Sequence, residues 1–346
     1  MEDLPDLMTA AVTIGHGGPE MIEIRHDWPR PRPAAGEALV RVTAAGVNNT
    51  DIWTREGGYG SDGDADNVAG WQGSPLGFPR IQGGDIAGFV ADVGPEVTED
   101  LIGRRVLVDP AAEYDAFGHP SKIVGSELDG GFAQFHVSAV ERIHDVSTSP
   151  LSDRQLACIP IAYGTALGMI DAADCRSQER VLVTGASGGV GLAAIQILSS
   201  RGCHVVAYTS AAKEEVIRDS GASQVVVRGR DRLSEVEETD VVLDVVGGEE
   251  FGAVVDCLRT EGRLVVAGAI AGPVVRLDLR RLYLRHRRLI GSTMHSPRIF
   301  AETVDLARRG EVSPVVADTY PLAEIGFAQE RFVSKDFVGK LVLIPS

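Results

Sequence analysis

One stretch constrains this chain more than any other: Thr184-Gly185-Ala186-Ser187-Gly188-Gly189-Val190-Gly191, which follows the apolar run Arg180-Val181-Leu182-Val183 and opens a segment of helical character. Glycine at these places lets the backbone turn sharply. It also lets a pyrophosphate approach the N–H groups at the helix start and lets the helix pack closely on the strand. A strict G-x-G-x-x-G pattern would put glycine at 186, where this chain has Ala186, while Gly188 and Gly191 hold the other two places. Strand, glycines and helix in that order read as a dinucleotide-binding turn, with Gly185, Ser187, Gly188, Gly189, Val190 and Gly191 as candidate contacts.

The turn sits in an alternating series. Strands are expected over 180–184, 204–208, 225–227, 241–246 and 264–268, with helices over 190–200, 211–220 and 251–258 between them. Strands apolar on both faces that alternate with helices form a parallel sheet covered on each side, so the fold class is α/β, a doubly wound Rossmann sheet. The first 150 residues differ: short alternating runs at 37–42, 86–93, 105–108 and 132–137 are separated by Gly, Pro and Asp clusters, as in an irregular, mostly β domain. Two long polar loops, 57–83 and 109–130, interrupt it, and loops of that length are usually functional. The last strand, Lys340-Leu341-Val342-Leu343-Ile344, is expected to pair with the N-terminal domain. Two domains follow, one of residues 1–155 with 295–346 and one of residues 156–294.

Composition narrows the partners. Asp plus Glu number 49 against 33 Lys plus Arg, a net charge of −16, which argues against a grip on nucleic-acid phosphates or an anionic membrane. The longest uncharged run, 156–170, contains Pro160 and Gly164 and is too short to span a bilayer. The four cysteines, Cys158, Cys175, Cys203 and Cys257, show neither disulfide nor zinc-knuckle spacing, which fits a reducing cytoplasm.

An NAD site places Asp or Glu at the end of the second strand to hold the ribose 2'-hydroxyl. Here Tyr208-Thr209-Ser210 stands there, followed by Lys213, and Arg228 closes the next strand. Hydroxyls and cations suit a 2'-phosphate, so NADPH is the expected cofactor, with Thr209, Ser210, Lys213 and Arg228 around its phosphate. Val246 and Gly268-Ala269-Ile270 follow later strands and are expected to line the same crevice.

With these residues in view the chain resembles the medium-chain dehydrogenase/reductase superfamily, in its zinc-free quinone oxidoreductase and enoyl reductase branch. The resemblance runs from Thr9 to Pro345. It is carried by Ala44-Ala45-Gly46-Val47-Asn48-Asn49-Thr50-Asp51, Gly83-Gly84-Asp85-Ile86-Ala87-Gly88, Gly130-Gly131-Phe132-Ala133, the glycine-rich turn, Asp244-Val245-Val246-Gly247-Gly248, and Val338-Gly339-Lys340-Leu341-Val342-Leu343. It implies a GroES-like N-terminal domain. Zinc-dependent members carry Gly-Val-Cys-His and Gly-His-Glu where this chain has Gly46-Val47-Asn48-Asn49 and Gly83-Gly84-Asp85, and the 109–130 loop holds no cysteine, so no metal is expected. His119 with Glu113 or Asp115 is a carboxylate–imidazole pair on paper, and an exposed loop histidine of that kind is more often solvated.

The resemblance further implies that Asn48 and Tyr59 face the nicotinamide and that Thr165, in Ala162-Tyr163-Gly164-Thr165-Ala166, reaches its ribose or carboxamide. Tyr59 would then hydrogen-bond a substrate carbonyl or protonate its enolate, against the plainer reading of a packed loop aromatic. Trp53 either lines the cleft with a flat apolar face or is structural. The expected activity is NADPH-dependent hydride transfer to a conjugated carbonyl compound, meaning a quinone, an α,β-unsaturated ketone or aldehyde, or an enoyl thioester. A zinc-free alcohol dehydrogenase and a non-catalytic NADPH-binding adaptor are the rivals. Val274-Val275-Arg276-Leu277 reads as an edge strand for a homodimer or as a segment covered within one chain.

Overall fold

The computed structural model describes residues 4–60, 69–71, 73 and 75–345. The N-terminal part contains β1 (Leu7–Thr13), β2 (Ile22–Pro29), β3 (Glu37–Gly46), the helix α1 (Asn49–Glu56), β4 (Arg80–Ile81), β5 (Asp85–Val93) and β6 (Arg105–Val108). It continues with β7 (Ala111–Tyr114), β8 (Pro120–Ile123), β9 (Phe135–Ala139) and β10 (Ile143–Asp145). Two helices, α2 (Asp153–Leu156) and α3 (Pro160–Ala172), then lead to the alternating region. That region is β11 (Arg180–Val183), α4 (Gly189–Ser200), β12 (His204–Thr209), α5 (Glu214–Asp219), β13 (Gln224–Val227), β14 (Thr239–Asp244), α6 (Phe251–Asp256), β15 (Leu258–Val266), α7 (Arg280–Tyr283) and β16 (Arg288–Gly291). The chain closes with α8 (Pro297–Arg309), β17 (Val316–Pro321), α9 (Ile325–Ser334) and β18 (Lys340–Ile344).

Strands β11 to β16 form one sheet in the order β13-β12-β11-β14-β15-β16, every pair parallel, so the strand order reverses beside β11. Val181, Leu182 and Val183 are fully buried because helices cover both faces. The second sheet, antiparallel except for the parallel β17–β18 pair, runs β10-β6-β5-β3-β18-β17, with β9 also on β3. Its strand β18 pairs with β3 through Val342 and Leu343, as expected from the apolar C-terminal run. This is the α/β Rossmann sheet beside a mostly β GroES-like part. The core is continuous between them: Ala44, Ala87, Leu107 and Val342 pack in one cluster with Ala157, Ile159, Ala162 and Val183.

Several expectations change. The polar 109–130 loop folds partly into the β7–β8 hairpin, where Lys122 pairs with Glu113. The expected helix over 211–220 is a short 3-10 turn, Ala211–Lys213, followed by α5. Residues 274–277 form no strand: Val275 and Leu277 pack on the cluster around Val206 and Phe251, while Val274 is exposed. The outer strands of the parallel sheet are β13 and β16 instead, so the edge-pairing argument for a homodimer loses the segment it rested on. Residues 61–68, 72 and 74 of the 57–83 loop lie outside the described residues.

Candidate active site

The glycine-rich turn takes its shape from crowding on one side and space on the other. Gly185 has φ of +56°, and a Cβ there would lie 2.7 Å from Val245. A Cβ on Gly191 would come 2.4 Å from the Gly185 carbonyl oxygen, so α4 can start this close to β11 only without one. Gly188 differs: a Cβ there would meet nothing nearer than 3.6 Å. The first intrahelical bond of α4 runs from Leu192 to Gly188, so the N–H groups of residues 190 and 191 have no partner within the helix, while Gly188 is bridged to Gly339 and the Lys340 side chain lies against Gly189. A pyrophosphate fits this cradle, with Ser187, Gly188, Gly189 and Val190 around it.

The crevice continues across the carboxyl ends of the sheet. The N–H groups of Ile270 and Ala271 donate to the carbonyls of Val245 and Val246, which brings Val246 and Gly268-Ala269-Ile270 together as expected. Asp244, 1% exposed, braces this edge by accepting the Thr184 hydroxyl and, at 3.0 Å, the Gly247 N–H. Thr165 is buried on α3, one turn beyond Ala162, which lies 3.1 Å from where a Gly189 Cβ would be. At the end of β12, Thr209 is buried and Ser210 starts the following turn. The Lys213 ammonium donates to Ser187 Oγ at 3.3 Å, which sets it beside the glycine-rich turn, and the backbone N–H of Arg228 donates to the Thr209 carbonyl at 2.8 Å, which sets that residue beside the end of β12. Both repel: Arg228 helps burial to hold the Lys213 ammonium below its ordinary pKa.

On the other side of the cleft, Tyr59 and Trp53 pack edge to face with centroids 5.4 Å apart. The Tyr59 phenol donates to Thr50 Oγ1 at 2.9 Å, and burial pushes its pKa up to about 12. It therefore stays protonated at neutral pH and acts as a donor. Thr50, in the first turn of α1, is a site residue the motif reading passed over.

Asn48 is spent differently from expectation. Only 7% exposed, it caps α1, and its amide donates to Asp85 Oδ2 at 2.8 Å and to the Gly46 carbonyl at 3.3 Å. Its carbonyl accepts from Lys340 Nζ, which also bonds Asp85 Oδ2 at 2.8 Å and the Val47 carbonyl at 2.9 Å. Asp85 Oδ1 accepts the Ile161 N–H at 2.7 Å, so the cluster fastens β3, β5, β18 and α3 together. With both ends of its amide engaged, Asn48 positions α1 and has no free donor for a nicotinamide. Asp51 lies beneath, its carboxyl pushed up to about 7 by burial while Lys340 opposes the shift. Lys340 also carried no role in the sequence reading, although a lysine opening a strand otherwise apolar was a readable signal.

A second buried pair ties the segment before α8 to the residue that follows β6. His295 Nε2 is 2.8 Å from Asp109 Oδ1, with side chains 0% and 2% exposed. The Tyr114 phenol donates to Asp109 Oδ2 at 2.9 Å, His295 stacks on Phe300 at 4.7 Å, and its Nδ1 faces Gly164 without a partner. Elsewhere Asp115 accepts the N–H groups of Phe117 and His119, which closes the β7–β8 turn. Among the described residues no group of three His, Cys, Asp or Glu side chains is placed to hold a metal ion.

Comparison with known proteins agrees with this geometry. Residues 34–148 match the alcohol dehydrogenase GroES-like domain and residues 189–309 match the family described as zinc-binding dehydrogenase. The acryloyl-coenzyme A reductase of Metallosphaera sedula is 30% identical, over 97% of this chain and 99% of its own. The mouse quinone oxidoreductase is 28% identical over 98% of both chains. A crystal structure titled as a putative alcohol dehydrogenase from Sinorhizobium meliloti superposes with a TM-score of 0.94 at 42% identity, covering 100% of this chain and 99% of that one. With a dinucleotide cradle on a parallel sheet, a GroES-like lobe facing it and near-complete relatives of the same build, the chain is an oxidoreductase belonging to the medium-chain dehydrogenase/reductase superfamily.

Proposed function

We propose that the chain reduces a conjugated carbonyl compound, a quinone, an α,β-unsaturated ketone or aldehyde, or an enoyl thioester, with NADPH. The observation that carries this reading is the Tyr59–Thr50 hydroxyl pair. A phenol whose pKa is pushed up to about 12 keeps its O–H at neutral pH, so it serves as a hydrogen-bond donor to a developing oxyanion and not as the base that alcohol oxidation needs. The relatives' named substrates, an acryloyl thioester and a quinone, share an electron-poor alkene conjugated to a carbonyl.

A nicotinamide held in the cradle would supply a hydride to the β carbon of the substrate, and the chain's own groups would meet the charge that develops on the carbonyl oxygen. Tyr59 donates to Thr50 Oγ1, so the remaining Thr50 O–H is free to donate a hydrogen bond to the substrate oxygen, and the proton that completes the reduced product comes from water. Trp53 holds Tyr59 in place and offers a flat apolar wall. Lys213 and Arg228 stand where a carboxylate would select NADH, which is the support for NADPH. A cytoplasmic site fits the four free thiols, of which burial pushes Cys158 and Cys175 up to about 12, leaving them unreactive. No helix among the described residues is long and apolar enough to cross a membrane.

The test is NADPH consumption over a panel of quinones, enals, enones and enoyl thioesters, run beside NADP with simple alcohols. Turnover of one alkene or quinone class with NADPH supports the proposal. Alcohol oxidation alone would replace it with the dehydrogenase reading, and tight NADPH binding with no turnover would leave a cofactor-binding adaptor. Tyr59→Phe should lower the turnover number by about 10- to 100-fold, less than loss of a direct donor, because water can serve Thr50.

A further inference from the structure

Helix α3 carries Gly164 and Gly168 one turn apart on the same face. Glycine is unfavourable inside a helix, so two of them on one face answer to something that comes close. A Cβ on Gly164 would fall on His295 Nδ1, and a Cβ on Gly168 would fall on the Met294 carbonyl oxygen. The groove is therefore filled by Met294 and His295, which lie between β16 and α8, with Met294 held at φ of +50°.

The His295 ring has no freedom in this seat. Its Nε2 is 2.8 Å from Asp109 Oδ1, and Asp109 also accepts the Ala111 N–H at 3.0 Å and the Tyr114 phenol at 2.9 Å. With Asp109 accepting from all three, the imidazole hydrogen sits on Nε2, and Nδ1 turns its lone pair toward Gly164. Phe300 stacks on the ring at 4.7 Å, and the pair is closed off from solvent. What a buried pair of this kind contributes over an apolar filling of the same size is one fixed orientation.

Thr165 follows Gly164 in the chain, and Ala162, two residues before Gly164, lies against Gly189 at the start of α4. The seating of α3 thus sets Thr165 relative to the glycine-rich turn. We propose that His295, held by Asp109 and seated on Gly164, is a positioning residue for hydride transfer, which sets Thr165 at the nicotinamide end of the cofactor. Neither His295 nor Asp109 needs to touch the cofactor; both act through α3. The inference rests on a nicotinamide cofactor lying in the cradle with its ring toward Thr165.

The full chain is titrated with NADPH and NADH, and with 2'-phospho-ADP-ribose and ADP-ribose, which lack the nicotinamide. Turnover is measured with the conjugated carbonyl compound that the wild type reduces fastest. His295→Leu should weaken the better dinucleotide about tenfold and lower the turnover number about 10²-fold, while the matching fragment changes less than about twofold. His295→Gln, whose Nε2 can still donate to Asp109, should recover to within about fivefold of the wild-type rate. Gly164→Ala should reproduce the loss by pushing the ring away, and His295→Ala added to it should restore part of the rate, because the methyl group then enters the space the ring has left. A folded His295→Leu chain that keeps the wild-type rate, or that loses dinucleotide and fragment affinity equally, overturns the proposal. If His295→Leu does not fold, the two Gly164→Ala chains decide: a double variant no faster than Gly164→Ala alone overturns it. A wild type that binds neither dinucleotide overturns the cofactor reading itself, and this proposal with it. A wild type that binds a dinucleotide but reduces no conjugated carbonyl compound overturns the proposed reaction, and the dinucleotide and fragment pairs still decide the role of His295.

Discussion

The two walls of the cleft are built by different means. On the Rossmann side the work is done by backbone: Gly185 and Gly191 are crowded into place, Gly188 is left open, and α4 begins with free N–H groups. On the GroES-like side the work is done by side chains, some drawn from far apart in sequence, as Lys340 on Asn48 and Asp85, and some from nearby, as Tyr59 on Thr50. A backbone cradle accepts any dinucleotide of the right shape. A side-chain wall fixes the chemistry, and each of its members depends on the others.

Substitutions test that contrast. The largest effect is expected at the buried Asp85–Lys340 pair, where Asp85→Ala leaves an ammonium buried without its counter-ion and should cost about 3 to 5 kcal/mol in urea unfolding. If the loss is within error, the side-chain wall is not what holds the lobes together. Next, Thr50→Val should lower the turnover number about 10²- to 10³-fold with NADPH affinity unchanged, and adding Tyr59→Phe should lower it little further, since both act on one substrate oxygen. Additive losses would mean that the two hydroxyls serve separate steps.

On the backbone wall, Gly191→Ala should weaken both NADPH and NADH by a strain of about 1 to 3 kcal/mol, leaving the ratio of the two affinities alone. A selective loss of NADPH would show that the cradle discriminates after all. The smallest effect belongs to the β7–β8 hairpin: Lys122→Ala removes an exposed pair with Glu113 and should change stability by about 0 to 1 kcal/mol, with no change in rate.

The same contrast explains what was legible in the sequence. The parallel sheet, the turn and the place of β18 came from local pattern, because glycines at a strand end and runs of Val and Leu carry their meaning over a few residues. Asn48 did not, since its neighbours in sequence say nothing of Lys340, which lies 292 residues away. His295 and Asp109, separated by 186 residues, left no local trace either. The 274–277 run was misread because alternation marks a strand and a packed irregular segment equally well.

The position of β18 also fixes an order of events during synthesis. It lies inside the antiparallel sheet, between β3 and β17, and it carries the ammonium that satisfies Asp85 and Asn48. That sheet stays split, with a buried carboxylate uncompensated, until the residues around 340–344 have left the ribosome. The Rossmann strands are complete by residue 291, with α8 and Val342 still to be added to the core beneath them. The cofactor lobe is therefore the part able to fold first, on a nascent chain whose GroES-like lobe is still open, and a dinucleotide in the cell can meet its cradle before the wall that performs the chemistry exists.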